Sequence, residues 1–147
     1  MSVERVEKIT SSLLAVAPEI FGNSAVLFAY LYGSYAAGLV HPFSDLDIGI
    51  YVDQMSRRQC LELELSLALE IDEKLGSGVA SEVRIINNLP LVVTGKIITE
   101  GLLIFSRNET IRVDFETSVR SAYFDFLPVL RAYHRTYIDS IISRYNP

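Results

Sequence analysis

Leu31-Tyr-Gly-Ser-Tyr-Ala-Ala-Gly-Leu-Val-His-Pro-Phe-Ser-Asp-Leu-Asp-Ile48 begins as the end of an apolar run and breaks at Gly33–Ser34. It then crosses an irregular loop and re-enters extended chain on two carboxylates. The preceding Ala25–Tyr32 is short, aromatic and Val-containing, which reads as a buried strand. In Asp47–Val52 the residues Ile48, Ile50 and Val52 alternate, so a second strand follows the loop. Side chains two apart on a strand point the same way, so Asp45 and Asp47 are expected to face one volume. Two like charges there repel unless a cation sits between them. Hard carboxylate oxygens suit Mg²⁺, which takes one or two protein ligands and completes its shell with phosphates and waters. Gly33 lets the backbone approach closely and present N–H groups to an anion, and Ser34 adds a hydroxyl donor. A phosphate cradle beside paired carboxylates is the layout that phosphoryl transfer requires.

Outward from this segment, strands alternate with helices. Val3, Val6, Ile9, Leu13 and Val16 recur at helical spacing, and Pro18 is expected to close that helix. The stretch Leu61–Ile71 places an apolar residue at every second position, a strand signal taken alone. Yet Arg57–Leu75 is too long for one strand and is built from Leu, Glu, Ala and Lys. Ser56 can cap its start and Gly76 its end, so it is read as a helix. Ser81–Ile86 reads as a third strand, Pro90 opens a short helix to Glu100, and Leu102–Phe105 is a fourth strand. From Glu109 onward the pattern is helical, with a break or kink expected near Pro128. The fold class is therefore α+β, a layered mixed sheet of about four strands with helices packed on it and a helical C-terminus.

Composition narrows the function. The 147 residues suit one domain, with a core to about residue 105 and C-terminal helices over about 109–145. The 13 basic residues are outnumbered by 18 acidic ones for a net charge of −5, so no direct nucleic-acid binding is expected. Met1–Lys8 lacks a signal-peptide layout and Ala25–Tyr32 is too short to span a bilayer, so a soluble, cytoplasmic chain is expected. Cys60, the single cysteine, is read as a packing residue. His41 is read as loop surface, and the acids Glu62, Glu64, Glu70, Asp72 and Glu73 as a solvated helix face. Tyr123, Phe124, Phe126, Tyr133 and Tyr137 supply more aromatic surface than so small a core needs. Part of it is expected to meet a partner or a second copy of the chain, with ordinary helix packing as the alternative.

The Gly33–Ser34 pair, a ten-residue spacer (Tyr35 through Ser44) and Asp45-Leu-Asp47 together resemble the signature of the polymerase-β nucleotidyltransferase superfamily. The resemblance implies Asp45 and Asp47 as catalytic metal ligands, two Mg²⁺ ions, a nucleoside triphosphate (ATP) as substrate, and Gly33, Ser34 and Ser44 at the nucleotide. It also implies a third catalytic carboxylate on a later strand, and Glu82 at the start of Ser81–Ile86 stands where that family usually has Asp, as a further metal ligand or the group that takes the acceptor's proton. Ala37 departs too, where many relatives carry Arg; Arg84 or Lys74 is a candidate replacement. With only helical sequence after residue 105, the chain resembles the minimal nucleotidyltransferases, the MntA-type antitoxins paired with HEPN ribonuclease toxins. That likeness implies AMP transfer from ATP to a toxin tyrosine. An antitoxin that acts by binding alone, or a transferase acting on a small-molecule alcohol, remains the alternative.

Overall fold

The computed structural model describes residues 2–145. Helix α1 spans Val3–Gly22, followed by β1 (Val26–Tyr32), the single-turn α2 (Ser34–Ala37) and β2 (Leu46–Val52). Next come α3 (Arg57–Leu75), β3 (Ser81–Ile85), α4 (Leu91–Glu100), β4 (Leu102–Ser106) and α5 (Glu109–Tyr145). The strands form one mixed sheet in the order β3-β2-β1-β4: β1 runs antiparallel to β2 and β4, while β2 and β3 are parallel across the α3 connection.

Period-two burial divides the sheet into two faces. Ala29 and Leu31 of β1 and Leu46, Ile48 and Ile50 of β2 point to α1 and α3, where they meet Ile9, Leu13, Leu67 and Ile71. The other face packs against α4 and α5. There Phe28 stacks on Tyr51 with centroids 4.6 Å apart, Phe115 closes over both, and the Tyr30 hydroxyl donates to Glu116 at 2.6 Å. Burial and that carboxylate push the Tyr30 phenol far up, so it stays a neutral donor at any physiological pH.

The ambiguous leucine-rich segment is a helix, α3, with a full capping box: Gln59 N–H donates to Ser56 Oγ and Ser56 N–H donates to Gln59 Oε1. Two of its acids are not simply solvated. Glu64 accepts from the Ile85 N–H at 3.0 Å and Asp72 from the Ser81 N–H at 2.8 Å, which covers the open edge of β3. Cys60 is half-buried rather than fully packed away.

Neither proline ends its helix. Pro18 does not close α1, which continues to Gly22. A proline inside a helix costs roughly 3 kcal/mol, but Ala17, Ile20 and Phe21 are buried around it. Burying each large apolar side chain is worth about 1.5–3 kcal/mol, enough to hold the last turn. Nor does Pro128 break α5, a single helix of 37 residues. The carbonyl left without a partner belongs to Phe124, on an exposed part of the helix where water can satisfy it.

Helices α4 and α5 meet closely at Gly95, where an added Cβ would run into the ring of the buried Tyr123. Gly95→Ala should therefore destabilise the chain by about 1–3 kcal/mol, although alanine is the better helix former by about 1 kcal/mol. Urea unfolding of the two proteins measures the difference; a stabilised variant would mean that α4 and α5 are not packed as described.

Candidate active site

Three strand ends meet at one edge of the sheet: β1 finishes at Tyr32, β2 starts at Leu46 and β3 starts at Ser81. Asp47 is paired with Tyr32 on one side and with Glu82 on the other. All three lie on the sheet face that also carries Phe28, Tyr30 and Tyr51, opposite the Leu46–Ile48–Ile50 core face. Arg84, two residues beyond Glu82, shares that face, and its charge offsets part of the upward push that burial gives the Tyr32 phenol. Asp45 sits just before β2, in exposed chain.

Gly33 turns the chain out of β1 with φ 71° and ψ −150°, a conformation reserved for glycine. A side chain there would also collide with the Asp47 carboxylate. The turn is thus held against the carboxylate with no atoms between them. Ser34 opens α2 and stays partly accessible. Ser44 is turned inward, 8% exposed, and its Oγ accepts from the His41 N–H at 3.0 Å, tightening the loop that leads to Asp45. His41 is itself exposed loop, and its Nδ1 accepts from the Phe43 N–H. Tyr35 is buried in the α1–α3 core.

Electrostatics single out Asp47. Burial first, then the neighbouring Glu82 and Asp45, push its carboxyl above the usual range, and Arg84 offsets only part of this. Negative charge is therefore gathered beyond what the chain neutralises. Among the described residues, no group of three or more His, Cys, Asp or Glu is drawn close enough to hold a metal ion by itself. Asp45 and Asp47 nonetheless fit Mg²⁺, which needs only one or two carboxylates when phosphate oxygens complete its shell.

Of the two candidates to replace the missing arginine, Lys74 is committed elsewhere, to Glu19 at 2.8 Å across α1 and α3. Arg84 is at the carboxylates. A second cation escaped the sequence reading: Lys96 of α4 lines a groove of about 480 Å³ with Gly33, Ser34, Leu39, Val93 and Ile97. A larger hollow, about 790 Å³, lies at the other end of β2 around Asp53 and Asn87 and touches none of the carboxylates. Asn87 there is spent on both backbone groups of Val52.

The family model described as polymerase beta, nucleotidyltransferase matches residues 17–110. The chain belongs to that family. Its nucleotidyltransferase fold is shared with several solved structures. One is a chain of a mutant MntA–HpeT toxin–antitoxin complex, at 17% identity and TM-score 0.60, covering 88% of this chain and 98% of that one. Another is from Shewanella oneidensis, the complex of a tri-AMPylated HEPN toxin with its MNT antitoxin, at 18% identity and TM-score 0.58, covering 91% and 98%. A third is a toxin–antitoxin with AMP-PNP, at 20% identity and TM-score 0.55, covering 93% and 98%. No curated protein matches the sequence. Among the described residues, no helix of this nucleotidyltransferase is long and apolar enough to cross a membrane.

The raised Asp47 pKa has a stability consequence. The fold favours the protonated form, so the cost of ionising Asp47 is absent below the unfolded value near 3.8 and grows as pH rises above it. Asp47→Asn should therefore raise the Tm of the chain in EDTA at pH 7, and the gain should vanish as the pH falls toward 4. Thermal melts across that range check it; a Tm lowered at pH 7 would mean that the carboxylate is compensated by contacts other than these.

Proposed function

We propose that this chain is a metal-dependent antitoxin that transfers AMP from ATP to a tyrosine hydroxyl of a HEPN-family toxin. Family membership supports nucleotidyl transfer. The fold shared with toxin–antitoxin complexes, one holding an AMPylated HEPN toxin, supports the acceptor. The observation that carries the chemistry is the Gly33 turn set against Asp47 with Glu82 in register beside it.

In this reading Asp45 and Asp47 hold Mg²⁺ together with the triphosphate, and Ser44 shapes the loop that presents Asp45. Bound Mg²⁺ supplies charge neutralisation on the phosphates and lowers the repulsion between substrate and carboxylates. Gly33 and Ser34 give backbone and hydroxyl donors to the phosphates, while Arg84 and Lys96 supply the positive charge that Ala37 does not. The tyrosine oxygen attacks the α-phosphorus, the bond from that phosphorus to the bridging oxygen breaks, and pyrophosphate leaves with the electron pair. Glu82, exposed at the rim, takes the tyrosine proton. The site is open and small, so the acceptor protein itself supplies the surface that orients the hydroxyl.

Incubating the chain with ATP, Mg²⁺ and a HEPN protein encoded beside it should add mass in AMP increments to a toxin tyrosine, with negligible transfer to free tyrosine. Glu82→Gln should slow transfer by about 10²–10⁴-fold and leave ATP affinity unchanged. Silencing of the toxin in a stable, unmodified complex would replace this reading with inhibition by binding. Modification of a small alcohol and not of the protein would make the chain a small-molecule transferase.

A further inference from the structure

Strict alternation of leucines means something different on a helix than on a strand. Residues four apart share a helical face, so the odd positions of α3 separate into two opposite stripes. Leu63, Leu67 and Ile71 line the core. Leu61, Leu65 and Leu69 form the other stripe and stand 53%, 68% and 70% exposed. A surface helix ordinarily gives its outer face to polar residues; this one is apolar on both sides. The exposed Glu62 and Glu73 flank the outer stripe.

Helix α5 poses the same problem at its far end. Phe115, Val119 and Tyr123 lie on one line of the helix and face α4 and the sheet. The line continues in phase through Phe126 and Leu130 to Tyr133, Tyr137 and Ile141, beyond the reach of α4. Tyr133 and Tyr137 are 69% and 58% exposed, and every described residue after Leu130 except Ile141 is exposed. A solitary helical stretch of about 15 residues is marginal in water, so this tail needs a surface to lie on. It is basic (Arg131, Arg135 and Arg144 against Asp139) in a chain that is acidic overall.

We propose that two copies of this chain pair through these faces. The α5 tail of each lies along the outer face of α3 of the other, with Tyr133, Tyr137 and Ile141 against Leu61, Leu65 and Leu69. The two stripes have the same spacing, and in parallel register Arg144 falls level with the exposed Glu73, so charge and apolar pattern match together. The buried line of α5 becomes continuous from its own α4 to the partner's α3. The pairing is independent of nucleotidyl transfer, since none of the site residues lies on either stripe.

Sedimentation equilibrium of the full chain should give twice its 16.5 kDa mass. Leu65→Asp and Tyr137→Asp should each weaken the dimer by about ten-fold or more with helical circular dichroism retained. Mixing the two variants should restore a heterodimer, because one wild-type tail still meets one wild-type α3. Arg144→Glu should weaken pairing and Glu73→Arg in the same chain should restore it, a test that stands even if Tyr137→Asp perturbs the tail. A monomer at all concentrations would overturn the proposal, as would a dimer indifferent to Leu65→Asp. Failure of the mixed variants to recover would also overturn it, pointing to tail-on-tail pairing.

Discussion

The closeness of the Gly33 turn to the Asp47 carboxylate is the constraint around which the rest is arranged. It requires β1 to end where β2 begins, in antiparallel register, with Tyr32 opposite Asp47. It requires a residue with no side chain at position 33, in a backbone conformation that only glycine adopts without strain. The core beneath is built to hold that register. Leu31, Leu46 and Ile48 are fully buried next to the turn, and a one-residue slip of β2 would put Asp47 into that core. The core on one sheet face and the candidate site on the other thus depend on the same register.

Charge concentrates where the strands converge. Asp47, Glu82 and Asp45 repel one another more than Arg84 compensates, an arrangement that costs the empty fold stability and favours any ligand bringing positive charge. A triphosphate alone would add to the repulsion; a triphosphate carrying a divalent cation would relieve it. The groove beside Gly33 and Ser34, apolar along α4 and carrying Lys96, gives the rest of such a ligand somewhere to lie. At the opposite ends of the strands, around the larger hollow, Asn87 is tied to both backbone groups of Val52.

Much of this was legible in residues 31–48, because glycine, serine and two aspartates at fixed spacing encode both a turn and a strand phase. The four strands and α3 were also legible, α3 from its length, composition and caps rather than its periodicity. Pro18 misled because its local cost was weighed without the burial of Ala17, Ile20 and Phe21 that outweighs it. Lys96 was invisible because only the packing of α4 against β1 brings it beside Ser34. The double stripe of α3 was hidden in plain alternation, which has one meaning on a strand and another on a helix.

Calorimetric titration of ATP into the chain, with and without Mg²⁺, and into the Asp45→Asn, Asp47→Asn double variant tests the central claim most directly. The account predicts much weaker binding by the native chain when Mg²⁺ is withheld, and a double variant whose affinity no longer responds to Mg²⁺. Equal affinity of the native chain in both conditions would contradict it.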